Sequence, residues 1–277
     1  MENIGKSYAR LRWAGAFLFL YGLFFIPAHF LNSDLRSFDD LSYVSHAFTL
    51  GLDQDLAYEN EIATMFNKRG NLPAHPIGSG ALAAPFVALF ALLDRKSEHE
   101  VLVDRKAYFG SWTFFGFLFS VSFYFLLGIG LYYSALRRVC KEYGPAFNVV
   151  ILLGTGLTYY VLGRFTMSHG FEFFMLSLTV YLTSRYYEAL GTHGNVGAIV
   201  LGLLVGGVAT LNLWIRPSNV NSLWLPFIWL LVFNRYYAYD VSKKDCALIV
   251  FGSLCGLIPY GVFNWHFYGQ IFPSYAN

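Results

Sequence analysis

Two adjacent carboxylates, Asp39 and Asp40, stand in the string Ser37-Phe38-Asp39-Asp40-Leu41-Ser42-Tyr43, inside a polar stretch over residues 32–75. Neighbouring side chains on a helix or an extended segment point in different directions, so the pair is not expected to share a proton. One carboxylate should face a cavity while a hydrogen-bond partner holds the other. A partly desolvated carboxylate can act as a general base near neutral pH. The alternative is that Asp39 or Asp40 caps a helix over 41–50, a position that favours Asp.

Further along, Arg216 closes an apolar run in Trp214-Ile215-Arg216-Pro217. Its fixed donor fork suits a phosphate, although an arginine at a helix end also snorkels to an interface. His169 and Glu172 lie three apart and would share one face of a helix. Two such side chains could contribute to a divalent-metal site, which usually needs three or four ligands; hydrogen bonding within a helical bundle is the plainer account. Arg164, in the same turn, could support an anion or neutralise Glu172. His75 precedes Pro76, which biases its backbone to an extended form; it could donate to a phosphate or cap the surface of the next helix. Lys68-Arg69-Gly70-Asn71 reads as a solvated turn, and Glu59 and Glu61 as solvent-facing.

The elements that must position these residues are membrane helices. Of the 277 residues, 56% are hydrophobic and 13% charged, with mean hydropathy +0.46. Soluble domains carry about 25% charged residues. Residues 13–31, 107–136, 145–163, 195–215, 217–234 and 246–277 contain no Lys, Arg, Asp or Glu, and a spanning helix needs about 20 such residues. A net charge of +2 with no long run of like charge gives no support for nucleic-acid binding, and Cys140, Cys246 and Cys255 lack zinc or disulfide-framework spacing. The first apolar run follows Lys6, Arg10 and Arg12 and lacks an Ala-x-Ala-like cleavage site, so it reads as a retained anchor.

Basic residues flanking the spans set the expected orientation. With the N-terminus, Arg137-Arg138, Arg185, Arg235 and Lys243-Lys244 cytoplasmic, residues 32–75 and the turns at 164–170 and 216–221 fall on the extracytoplasmic side. This orientation requires the short apolar stretch 78–93 to lie along or dip into the interface. The expected fold is an all-α polytopic bundle forming one membrane domain, 1–277. Seven spans fall near 13–31, 107–136, 145–163, 166–184, 195–215, 219–236 and 246–267. A large first loop over 32–106 contains juxtamembrane helices, and 268–277 begins a further extracytoplasmic segment. Tyr159-Tyr160, Tyr186-Tyr187 and Tyr236-Tyr237 are read as interface anchors.

These motifs, in this order, resemble the GT-C superfamily of polyprenyl-phosphate-sugar-dependent glycosyltransferases, which includes protein O-mannosyltransferases and lipid A aminoarabinose transferases. The resemblance covers nearly the whole chain. It rests on Asp39-Asp40-Leu41-Ser42-Tyr43 after the first span, on His75-Pro76-Ile77-Gly78-Ser79-Gly80 entering an apolar segment, and on Ser168-His169-Gly170. Arg216-Pro217 after a glycine-rich span and Asn264-Trp265-His266-Phe267-Tyr268-Gly269 complete it. The resemblance implies that Asp39 is the base, with Asp40 its supporting neighbour, and that Arg216 contacts the donor phosphate. His75 stands where some relatives place a phosphate-contacting lysine.

The implied activity is an inverting transfer of a sugar from a polyprenyl-phosphate donor to an extracytoplasmic hydroxyl on a lipid, glycan or protein. The implied setting is a bacterial plasma membrane. A divalent metal is left open. A non-enzymatic lipid flippase or transporter, which would line its central span positions with charge, is one rival; a catalytically silent membrane scaffold is the other.

Overall fold

The computed structural model describes residues 19, 22, 38–65, 73, 75–94, 111–139, 155–164, 166–190, 196–237 and 242–272. Among them there is no strand, and the regular structure is all helical. The helices are α1 (Phe38–Phe48), α2 (Glu59–Met65), α3 (Gly78–Asp94), α4 (Trp112–Val139), α5 (Gly156–Gly163), α6 (His169–Leu190), α7 (Val196–Ile215), α8 (Leu225–Tyr237) and α9 (Lys243–Tyr268). A π-helical turn, Thr49–Asp53, follows α1, and a 3-10 segment, Pro217–Leu223, joins α7 to α8.

Among the described residues three helices are long and apolar enough to cross a membrane: α4, α7 and α9. They match the expected spans near 107–136, 195–215 and 246–267. The other expected spans differ or lie elsewhere. Residues 13–31 fall outside the described residues save for 19 and 22, and of 145–163 only 155–163 are described. The span expected near 166–184 is the 22-residue α6, beginning at His169 and carrying Glu172, Arg185 and Glu188. The span expected over 219–236 is broken. Pro217 opens a 3-10 segment, the Ser222 hydroxyl donates to the Ala209 carbonyl at 3.0 Å, and the chain folds back on α7 before the 13-residue α8 begins.

The helices associate by close backbone approach and polar links, as expected where lipid is as apolar as the side chains. A Cβ at Gly206 would lie 2.0 Å from the Ile249 carbonyl oxygen, and one at Gly252 2.2 Å from that of Leu203. The backbones of α7 and α9 therefore touch. The Thr210 hydroxyl ties them by donating to the Ser253 carbonyl at 3.0 Å. Between α6 and α7, the Asn212 amide donates to Thr179 Oγ1 at 3.3 Å. The α9 N-terminus is closed by a capping box between Ser242 and Asp245, which satisfies two amides that lipid could not.

Helix α3 packs antiparallel along the first half of α4. Asp94 at its end accepts from the backbone amides of Trp112 and Thr113 at 2.8 and 2.7 Å, capping α4. Phe86 packs at an angle against Phe119 and Phe123 and edge-on to Tyr124, and Phe90 packs at an angle against Phe115 and Phe119. Such pairs contribute about 0.5–1.5 kcal/mol each beyond area burial.

Helix α1 lies against this hairpin. Tyr43, Val44, Ala47 and Phe48 join Ala83 and Val87 of α3, Phe117 and Val121 of α4, and Phe171 of α6 in one buried cluster. That cluster presents the first turn of α1 to the start of α6. Tyr186 and Tyr187, expected as interface anchors, are instead buried with Phe233 and Ile249. Their rings fill the space between α6, α8 and α9, where Tyr186 donates to the Asp245 carbonyl at 3.3 Å.

Candidate functional site

Helix α1 begins at Phe38, so Asp39 and Asp40 sit within its first turn rather than capping a helix over 41–50. Carboxylates are favoured there by the amide dipoles of the helix start. Successive helical side chains diverge by about 100°, and the two aspartates go to different partners. Asp40, 1% exposed, accepts from the Thr166 hydroxyl at 2.7 Å and lies 3.4 Å from Arg164 Nη2. It fastens α1 to the turn preceding α6. Asp39, 43% exposed, meets His75 Nε2 at 2.8 Å.

One helical turn after Asp39, Tyr43 shares its face and packs its ring 5.2 Å from that of His75. Burial pushes the Tyr43 phenol up from its ordinary value, offset by a hydrogen bond to Ser168 and by the charge of Arg216; Asp39 and Glu172 add to the rise. These interactions put Tyr43 at the meeting point of α1, the turn before α6 and the end of α7. Ser168 belongs to the same turn as Thr166, so the anchoring of Asp40 also sets the Tyr43–Ser168 contact.

On the far side of Tyr43, Glu172 in the first turn of α6 gathers the remaining groups. His169 Nδ1 lies 3.1 Å from Glu172 Oε2, and Arg216 Nη1 lies 3.7 Å from the same oxygen. Asn219, carried by the 3-10 segment after α7, also hydrogen-bonds this carboxylate. The imidazole of His169 is covered by Tyr160 of α5, ring centroids 4.1 Å apart. Arg216 keeps a 39% exposed side chain, so its guanidinium can take an external anion without leaving Glu172. Arg164 turns to Asp40 and to the Met167 sulfur, 3.7 Å away.

Asp39, His75, His169, Glu172 and Arg216 thus converge around Tyr43, and Asp40 and Arg164 hold the scaffold behind them. Among the described residues no three or more His, Cys, Asp or Glu side chains form a metal-binding group. His169 and Glu172 supply two donors, one of them already shared with Arg216. The turn at 68–71 lies outside the described residues, apart from which Glu61 departs from its expected exposure. It is fully buried on α2, and burial pushes its carboxyl up to about 8, with Asp53 adding to the rise and a Thr49 hydrogen bond opposing it. Its position follows from the fold of α2 onto the π-helical turn, a non-local contact that a Tyr-Glu-Asn-Glu string does not announce.

One partner within the site, Thr166, carries no chemical signal of its own in the sequence. A hydroxyl two residues from an arginine, in a turn facing a double aspartate, was the only available hint for Thr166. The described fold is that of an all-helical membrane protein, with Asp39, Asp40, Glu172 and Arg216 placed near the ends of α1, α6 and α7. Comparison of the chain with protein-family models, with curated proteins and with solved structures gives no match.

Proposed function

We propose that this protein is a membrane glycosyltransferase that moves a sugar from a polyprenyl-phosphate donor to an extracytoplasmic hydroxyl acceptor. The observation that carries this reading is that a half-exposed carboxylate, Asp39, and a half-exposed guanidinium, Arg216, both act by their charge on Tyr43, although 177 positions separate them in sequence. In the proposed reaction Asp39 takes the proton of the acceptor hydroxyl as its oxygen attacks the anomeric carbon. The bond from that carbon to the phosphate oxygen breaks, and the lipid phosphate departs with the electron pair. Arg216 stabilises the departing anion, and Glu172 with Asn219 holds the guanidinium in place. A single displacement of this kind inverts the anomeric centre.

A transporter would carry charge in the middle of its spans. Here residues 112–136, 173–184, 196–215 and 246–268 carry no Lys, Arg, Asp or Glu, which favours a site at one end of the bundle. The test is transfer by purified protein from undecaprenyl-phosphate sugars to hydroxyl acceptors. A positioned base contributes about 10²–10⁴-fold in rate, so Asp39→Asn lowers turnover by that range while the protein still inserts. Arg216→Ala abolishes retention of undecaprenyl phosphate. Near-wild-type transfer by Asp39→Asn overturns the assignment of the base.

A further inference from the structure

His46 is a buried group that the proposed chemistry does not use. It lies on α1, 1% exposed, with both ring nitrogens engaged: Nδ1 is 2.7 Å from the Tyr58 hydroxyl and Nε2 is 2.7 Å from the His75 carbonyl oxygen. A carbonyl oxygen can only accept, so Nε2 carries the hydrogen. A neutral imidazole has one N–H, so Nδ1 must accept, and it does so from the Tyr58 hydroxyl. The partners therefore fix the tautomer.

The surroundings keep the ring neutral and immobile. Burial lowers its pKa from 6.5 to about 4, with the bond to the His75 backbone opposing that shift and the charge of His75 adding to it. A Cβ added at Gly80 would lie 2.3 Å from the His46 Cβ, so the start of α3 closes on the ring's base. Tyr58 meets it edge-on, with ring centroids 5.3 Å apart.

The residue at the other end of this bond is His75, whose own imidazole pairs with Asp39. We infer that His46 is a positioning residue: through its Nε2–H it holds the His75 main chain and thereby sets the imidazole of His75 against Asp39. Three segments distant in sequence, α1, the start of α2 and the residues preceding α3, are joined at one ring. The link acts about two helix turns from Asp39, because His46 and Asp39 stand on the same helix, seven residues apart and so on one face. For sugar transfer, this inference rests on the function proposed above.

The experiment needs no sugar donor, so its failure is separate from failure of that proposal. Protein labelled with ¹⁵N-histidine is read by NMR in detergent micelles at pH 6, with the His46 and His75 signals assigned by their loss in His46→Leu and His75→Gln. His46 is expected as the neutral Nε2–H tautomer. A protonated ring, or an Nδ1–H tautomer, overturns the inference.

Two variants then separate positioning from bulk packing. In His46→Gln the amide nitrogen stands where Nε2 was and still donates to the His75 carbonyl; in His46→Asn it stands at the Nδ1 position and cannot reach. The His75 ring signals are expected to stay at wild-type positions in His46→Gln and to move in His46→Asn, with both proteins showing a cooperative thermal transition. Equal displacement of His75 in the two variants, or displacement in neither, overturns the positioning role. Should either variant not fold, Tyr58→Phe in its place removes the donor to Nδ1 while leaving the Nε2–H bond, and a displaced His75 signal there overturns it as well.

Discussion

At the residue scale, two buried ionisable groups near the site tie stability to pH in opposite directions. His46 has a folded pKa of about 4 against 6.5 for the free side chain. The unfolded chain binds the extra proton between those values, so this contribution is lost as pH falls from 6.5 towards 4. Glu61 has a folded pKa of about 8 against 4.5. There the folded chain holds the extra proton, and its contribution is lost as pH rises from 4.5 towards 8. Between about 4.5 and 6.5 the two slopes oppose each other; above 6.5 only that of Glu61 remains. Thermal unfolding in micelles is therefore expected to show the wild type losing stability from pH 6.5 to 8, and Glu61→Gln losing much less. Equal losses in the two proteins would rule out a buried neutral Glu61. Asp39 and Asp40 carry a related lesson: identical side chains one position apart differ in role because a helix turns about 100° between them. One is covered by Thr166 and the other is left open beside His75.

At the element scale, the site depends on where α7 ends, because Arg216 and Asn219 follow directly from it. Helix α7 is held by its backbone contact with α9 at Gly206 and Gly252 and by the Thr210–Ser253 bond. The carbonyl of Ile249, 2.0 Å from an added Cβ at Gly206, is main chain and cannot move aside as a side chain would. Gly206→Ala must separate the two helices, whereas a Cβ at Gly207 meets nothing nearer than 3.9 Å. Overpacking costs typically about 1–3 kcal/mol. Thermal unfolding is expected to show that loss in Gly206→Ala and almost none in Gly207→Ala. Similar unfolding temperatures for the two variants would contradict the close approach. The break between α7 and α8 belongs to this scale too. An uncharged run over 217–234 has the composition of a span, but Pro217 and the Ser222–Ala209 bond turn its first residues into a 3-10 segment that carries Asn219 to Glu172.

For the whole molecule, the proposed orientation places the α1 and 3-10 segments outside the cytoplasm and the far end of α6 inside it. At that far end Arg138 of α4 pairs with Glu188 of α6, and Arg138 also lies over the Tyr181 ring. With Cys140, Cys246 and Cys255 replaced, Gln54→Cys and Ser218→Cys are expected to react with a membrane-impermeant maleimide on intact cells. Glu188→Cys is expected to react only after permeabilisation. The reverse pattern would put the candidate site on the cytoplasmic face and remove the extracytoplasmic acceptor from the proposal.

The sequence by itself determined the helical membrane character, through uncharged runs whose length a bilayer dictates, and it marked Asp39, His75, His169, Glu172 and Arg216 as the ionisable groups beside or within the expected spans. Such features are local, set by the cost of placing charge in lipid. Tertiary structure alone decided the partners. That Arg164 serves Asp40, that Glu61 is buried, that Tyr186 and Tyr187 are core and not interface, and that His46 grips the carbonyl of His75 are consequences of which helices touch. Contacts between residues 29 to 126 positions apart leave no periodicity in the chain. They arise where glycines and hydroxyls let backbones approach, and only the folded arrangement shows which of those approaches the chain adopts.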